Sequence, residues 1–155
     1  MFKLQKRLGA PGKPVAKTNL HMTLAFLGQT SHRQRQTLEA ALEGVAMPGF
    51  EQRLSTLVHW RGAGVLCLWG KATDSGLTDL YQGCQSLCHT LGLHQNEHSF
   101  NPHITLFRKV KQYQVPEWQP EPVILRPDTL NLYLSNSTPV GVRYEVLQSW
   151  PLGRA

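Results

Sequence analysis

A short motif that occurs twice gives the clearest chemical signal in this sequence. The pattern His-x-Thr-Leu begins at His21 and again at His103, which is more repetition than the composition predicts by chance. Residues two apart on a β-strand point to the same face, so Thr23 accompanies the first imidazole and Thr105 the second. The apolar residues between and after them anchor the opposite face. Each copy is therefore predicted to be a small polar site on a rigid support.

Two such sites facing each other have the groups needed to cleave a phosphodiester. Histidine titrates near neutral pH, so one imidazole can take a proton from an attacking water while the other protonates the departing ribose oxygen. The hydroxyls of Thr23 and Thr105 are placed to hold the non-bridging oxygens, and Arg108 adds charge to the same phosphate clamp. The scheme requires no metal ion and no cofactor. A cyclic phosphodiester suits it because ring strain assists opening.

Both motifs lie in segments with strand composition. LHMTLAFL, at residues 20–27, alternates and then runs apolar to Gly28, which predicts a strand buried on at least one face. PHITLFRKV, at residues 102–110, predicts a second strand. The chain before His21 contains GAPGKP, a Pro and Gly cluster that predicts a mobile loop whose basic residues can meet phosphate.

Helices and further strands complete the predicted framework. Ser31 is placed to cap a helix that runs through Leu38, Leu42 and Val45 and stops before Pro48. The other predicted elements are a hairpin of residues 50–60 and 65–71 around the turn RGAG, a helix from Asp74 to Gly92, and strands at residues 128–136 and 142–150. The predicted order is strand, helix, strands, helix, strands.

Composition favours one folded domain with a polyanionic partner. The chain has 155 residues, of which 41% are hydrophobic and 17% charged, and its formal net charge is +6. That balance excludes a disordered chain and indicates nucleic acid as a partner. No apolar run is long enough for a membrane span or a signal peptide, so a cytoplasmic protein is expected. The three cysteines form no CxxC pair and are expected to be reduced, buried thiols.

Several residues have weaker alternative interpretations. The loop pair His94 and His98 has a spacing that metal ligands use, but it lies in a predicted loop and not on one helix. The indoles can stack on bases, but tryptophan more often fills cores, so only one or two are expected near RNA; they are Trp60, Trp69, Trp118 and Trp150. For the chain as a whole, a non-catalytic module that binds RNA ends stays open beside the enzyme, and so does ligation of 2'-5' ends by the same site.

The segments NLHMTLAFLG and NPHITLFR resemble the 2H phosphoesterase superfamily, specifically its bacterial RNA 2',3'-cyclic phosphodiesterases, formerly called 2'-5' RNA ligases. The resemblance covers most of the chain. It implies a bilobal α+β fold in which two pseudo-symmetric antiparallel sheets line a central cleft, with helices outside and one histidine from each lobe. It also implies hydrolysis of a terminal 2',3'-cyclic phosphate of RNA to a 2'-phosphomonoester.

The resemblance further implies roles and partners. His21 corresponds to the proton donor for the leaving 3'-oxygen and His103 to the proton acceptor for water, with Thr23, Thr105 and Arg108 binding substrate. The expected substrates are RNA ends, including tRNA fragments and small cyclic nucleotides, and the expected state is a monomer. Residues 1–155 are expected to form a single bilobal domain. The family usually opens with an apolar strand, and the residues before His21 contain no apolar run of that kind.

Overall fold

The described part of the chain combines three antiparallel sheets with helices, as an α+β protein. The computed structural model describes residues 1–95, 99–139 and 141–154. Contacts divide the chain into two units. Unit 1 comprises Met1–Thr23, Gln52–Ala72 and Asn101–Leu125, and unit 2 comprises Leu24–Glu51, Thr73–Phe100 and Arg126–Ala155. Among the described residues, no helix has both the length and the apolar character needed to cross a bilayer.

Unit 1 is built on a four-stranded antiparallel sheet in the order β1-β5-β4-β3. Its strands are β1 (Lys13–Pro14), β3 (Thr56–Trp60), β4 (Val65–Trp69) and β5 (His103–Arg108). The predicted hairpin is confirmed in β3 and β4, and its turn ends at Gly64, whose φ of 62° lies in the left-handed region. The predicted second motif strand is confirmed as β5.

The predicted strand over residues 50–60 is divided into two parts. Before β3, a short strand β2 (Gln52–Leu54) leaves the main sheet and pairs with β6 (Val123–Leu125). Gly70, just after β4, lies against the backbone carbonyl of Arg53, where a side chain would collide with it. This close approach fits only glycine, and it marks the point where the chain changes partner.

The prediction of a mobile loop at GAPGKP is wrong for its last two residues, Lys13 and Pro14. Lys13 and Pro14 form β1, which pairs with Phe107 and Arg108 at the edge of β5. The helix α1 (Phe2–Arg7) supports this edge through Gln5, a buried residue whose Nε2 donates to the carbonyls of Val15 and Leu106, both at 2.9 Å. A buried amide with satisfied donors holds the segment in place. Its Pro and Gly content therefore marks an edge strand and its turns.

One face of the unit 1 sheet packs on the core of that unit. The fully buried side chains Leu66, Leu68, Leu106 and Phe107 form its centre together with Ile104. Each contributes roughly 1.5–3 kcal/mol of transfer free energy when buried. The opposite face of the same strands is left for polar and aromatic side chains.

Unit 2 contains both predicted helices and the closing hairpin. These elements are α2 (His32–Leu42), α3 (Ser75–Thr90), β7 (Thr129–Thr138) and β8 (Gly141–Pro151). Ser31 caps α2 in a capping box with Gln34, as the sequence predicts. Asp74 caps α3 by accepting from the backbone N–H groups of Gly76 and Leu77. The second helix and the two closing strands are confirmed within one or two residues of their predicted ends. The first helix is confirmed at its start, but it ends at Leu42 and does not continue through Val45 as predicted.

The predicted strand over residues 20–27 is wrong except at one position. Met22 makes an isolated antiparallel bridge to Ile104, and residues 24–27 belong to no strand. The Leu24 carbonyl accepts instead from Nε2 of Gln85 on α3, at 3.3 Å. Leu24 is buried, and Leu27 packs against the core of unit 2. The apolar pattern of this segment therefore indicates buried side chains, and it does not indicate pairing with a neighbouring strand.

Candidate active site

The two motifs meet at one edge of the unit 1 sheet. The bridge between Met22 and Ile104 is antiparallel, and extending it by one residue each way sets His21 opposite Thr105 and Thr23 opposite His103. Each imidazole thus neighbours the hydroxyl of the other motif. Both histidines belong to unit 1, whereas the resemblance implied one from each lobe.

The register also sets the face on which these side chains lie. Ile104 is buried in the core of unit 1, and Met22 packs against that core. The residues before and after each of these two therefore point away from the core, to the opposite face of the sheet. The two histidines are diagonal neighbours across the bridge, a relation that separates Cα atoms by about 7–8 Å. His21 and His103 are half-buried and Thr23 is exposed. The register therefore places the two histidines on the same face, close to each other.

Both imidazoles are held by the same local hydrogen bond. Nδ1 of His21 lies 2.7 Å from the carbonyl oxygen of Asn19, and Nδ1 of His103 lies 2.7 Å from that of Asn101. A carbonyl only accepts, so Nδ1 carries the proton and the neutral ring has its lone pair on Nε2. Sequence reasoning missed these asparagines. Their signal was present, because Asn precedes the histidine by two residues in both copies.

A β-bulge brings Arg108 to the same face. Val65 pairs with Arg108 but Cys67 pairs with Thr105, so β5 has an extra residue between these pairs. In a regular strand Thr105 and Arg108 would point to opposite faces, because they are three positions apart. The bulge cancels that difference in direction. Lys13 of β1 pairs with Arg108 and adds a second positive charge to this edge.

The surroundings of His103 favour its neutral form. Burial lowers the pKa of His103 below the ordinary value, and the positive charges of His21 and Arg108 lower it further. The hydrogen bond to the Asn101 carbonyl opposes part of this effect. His103 is therefore suited to accept a proton at neutral pH.

Comparison with known proteins identifies the family to which the chain belongs. Residues 1–67 match the family model described as LigT-like phosphoesterase. The RNA 2',3'-cyclic phosphodiesterase of Escherichia coli K12 is 31% identical over 150 residues, covering 91% of this chain and 80% of that protein. The chain belongs to the LigT-like phosphoesterase family. The resemblance read from the two motifs is confirmed.

Solved structures extend the likeness to nearly the whole chain. The crystal structure of E. coli LigT complexed with 3'-AMP superposes with a TM-score of 0.88 at 29% identity, covering 99% of this chain and 89% of that one. The protein TT0787 of Thermus thermophilus superposes with a TM-score of 0.77 at 25% identity, covering 97% and 88%. The expected α+β fold of a 2H phosphoesterase is confirmed.

A buried thiol supports the second threonine of this LigT-like phosphoesterase. The Cys67 Sγ lies 3.7 Å from the Oγ1 of Thr105 on the neighbouring strand. Burial raises the pKa of Cys67 to about 11, so the group is a protonated thiol at neutral pH and donates to the hydroxyl. All three cysteines are free and buried, as the sequence predicts.

The tryptophans considered for base stacking differ in their environments. The Trp60 ring meets the His103 imidazole edge-on, with ring centroids 4.5 Å apart. In contrast, Trp118 packs beside the core of unit 1 with Arg7 over its ring, and Trp150 is buried in the core of unit 2. Of the histidine pair considered for metal binding, His94 contacts Phe26, and His98 lies outside the described residues.

Proposed function

We propose that this phosphoesterase hydrolyses 2',3'-cyclic phosphodiester ends of RNA to 2'-phosphomonoesters, using His21 as proton donor and His103 as proton acceptor. The observation that carries the proposal is the matched pair of imidazoles on one sheet face, each held through Nδ1 by a carbonyl oxygen. The name of the E. coli relative and the 3'-AMP complex of LigT support a nucleotide-like substrate.

The reaction uses the two Nε2 atoms on opposite sides of the phosphate. Nε2 of His103 takes a proton from water as the water oxygen bonds to phosphorus. The bond from phosphorus to the 3'-oxygen breaks, and protonated His21 gives its proton to that oxygen. The phosphate stays on the 2'-oxygen. The lowered pKa of His103 is the reason for assigning it the base role, since a base must be neutral before the reaction.

Three further side chains are proposed to bind the phosphate. The hydroxyls of Thr23 and Thr105 donate to the non-bridging oxygens, where negative charge increases in the transition state. Arg108 adds a positive charge on the same face because of the bulge in β5. Donors fixed before the substrate arrives stabilise the transition state without reorganising.

The proposal is tested with an oligonucleotide that ends in a 2',3'-cyclic phosphate, incubated with the purified protein with and without EDTA. We expect hydrolysis in both samples and a 2'-phosphomonoester as the product. A 3'-phosphomonoester would overturn the leaving-group assignment, and complete inhibition by EDTA would overturn the metal-independent mechanism.

The same experiment separates the alternatives. Binding of the oligonucleotide without turnover would instead support an RNA-end-binding module. Ligation of 2'-5' ends is the same ring opening with a 5'-hydroxyl in place of water: the 5'-oxygen bonds to phosphorus, the bond to the 3'-oxygen breaks, and the same two histidines transfer the protons. It is assayed by adding an RNA with a free 5'-hydroxyl. The tRNA fragments and small cyclic nucleotides expected as substrates, and the cytoplasmic monomer, stay predictions.

A further inference from the structure

A pocket adjoins His103 on the face of the unit 1 sheet that carries the motifs. Its lining residues are Val58, Trp60, Trp69 and Asn101. Trp69 lies directly opposite His103 on the neighbouring strand, and Val58 and Trp60 follow on the next strand with the same orientation. All of these residues belong to unit 1. The pocket and the second motif therefore share one rigid sheet.

Two of the lining residues contact the imidazole itself. The Trp60 ring stands nearly perpendicular to that of His103, at an interplanar angle of 79°. The Asn101 carbonyl accepts the hydrogen bond from its Nδ1. A group bound in the pocket would therefore lie next to the phosphate on which Nε2 of His103 is proposed to act.

The two indoles of the pocket take no part in the core of unit 1. Neither Trp60 nor Trp69 belongs to the hydrophobic cluster behind the sheet or to the residues packed against it, whereas Trp118 does. Both indoles are only half-buried. Half-buried indoles beside a reactive group are suited to stack on a flat ligand.

We infer that this pocket binds the base of the nucleotide whose cyclic phosphate lies between the two histidines. This inference rests on the proposed function, and it adds the part of the substrate that the motifs do not contact. The base and the cyclic phosphate are attached to the same ribose, so a phosphate beside His103 carries its base to the adjoining pocket. Stacking accepts every base, because every base has a π-face.

The inference is tested by comparing substrates with and without a base. Adenosine 2',3'-cyclic phosphate contains both parts, whereas glycerol 1,2-cyclic phosphate has only the ring that reacts. For Trp69→Leu we expect kcat/KM to fall about tenfold or more with the adenosine substrate and to change little with the glycerol substrate. Trp69→Phe, which keeps an aromatic face, should retain most of the activity. The matched control Trp118→Leu should not discriminate between the two substrates.

An equal loss on both substrates would overturn the inference, because Trp69 would then only support His103. A second measurement does not depend on turnover. Quenching of indole fluorescence by adenosine 2'-monophosphate, with glycerol 2-phosphate as the base-free control, should be present in the wild-type protein and weakened in Trp69→Leu. If the wild-type protein binds the nucleotide in this way but hydrolyses neither substrate, the proposed function fails while the base pocket stands. If the nucleotide and glycerol 2-phosphate quench the indole fluorescence equally, the inference of a base pocket is wrong, whatever the hydrolysis assay shows.

Discussion

The two copies of the motif have the same residues but different support. His103 begins β5, a six-residue strand that pairs with β4 on one side and β1 on the other. His21 follows a 3-10 helix, Lys17–Asn19, and its neighbour Met22 makes only one bridge. The hydrogen bond from each Nδ1 to the carbonyl two residues earlier is nevertheless the same length. The two copies therefore share the hydrogen bond that orients the imidazole, and this hydrogen bond forms without a regular strand.

The different support has an electrostatic consequence. Burial against the sheet, with Trp60 beside the ring, removes water from His103 and lowers its pKa. The sequence pattern alone therefore does not determine how His103 titrates, because the fold around the ring favours its neutral form.

The largest effect should follow from removing either ring. We expect His21→Gln and His103→Gln each to lower kcat for cyclic phosphate hydrolysis by about 10²–10⁴-fold, because each removes one proton transfer. The double variant should lose much less than the product of the two factors, since the groups act as one unit. Single-turnover kinetics would measure this.

A matched control is His59→Gln, which changes a half-buried histidine of the same unit that contacts the backbone carbonyls of Val110 and Tyr113. Its activity should remain near that of the wild type. If only one of the two motif variants loses activity, the paired mechanism is wrong and a single catalytic histidine replaces it.

The next largest effect concerns the residues that anchor the two rings. Ile104 is 5% exposed in the core, so Ile104→Ala should lower the free energy of unfolding by about 2–5 kcal/mol. Met22 is only partly buried, and Met22→Ala should cost about half as much. Urea unfolding followed by tryptophan fluorescence measures both. Equal losses would show that the single bridge anchors its motif as firmly as the full strand does.

Much of the site was predictable because its signals are local. The histidines and threonines were found from a spacing of two, and the helices α2 and α3 from their caps at Ser31 and Asp74. Capping and strand alternation depend on a few consecutive residues, so one sequence contains the whole signal.

The features that sequence reasoning missed depend on a partner strand or side chain. The bulge in β5 appears only in its pairing with β4, and without it Arg108 would face away from Thr105. The segment after Thr23 reads as a strand, yet its Leu24 carbonyl is bonded to a side chain from α3. Long-range pairing decided both outcomes, and it leaves no mark in the local pattern.

Arg108 allows a sharper test of the cause of the lowered His103 pKa. The acidic limb of the pH profile of kcat/KM should reflect His103, whose neutral form is required, and it should lie below the ordinary histidine pKa. Arg108→Gln removes a charge that lowers this pKa, so the limb should move to higher pH. Activity at neutral pH should fall by about tenfold because the phosphate loses one charged contact.

Arg108→Lys keeps the charge and should leave the acidic limb where it is in the wild type, although the loss of two parallel donors lowers the rate. The exposed helical residue Arg33 gives a control, because Arg33→Gln should alter neither limb nor rate. A limb that is unchanged in Arg108→Gln would mean that the guanidinium does not act on His103.

The smallest expected effect lies in the segment that follows the weakly supported motif. Gln85→Leu removes the donor to the Leu24 carbonyl, and we expect the free energy of unfolding to fall by about 1 kcal/mol. Gln82→Leu changes an exposed glutamine on the same helix and should have little effect. Urea unfolding of the two variants gives the difference directly. If both behave alike, this hydrogen bond does not stabilise residues 24–27, and the burial of Leu24 and Leu27 alone holds the segment without a strand.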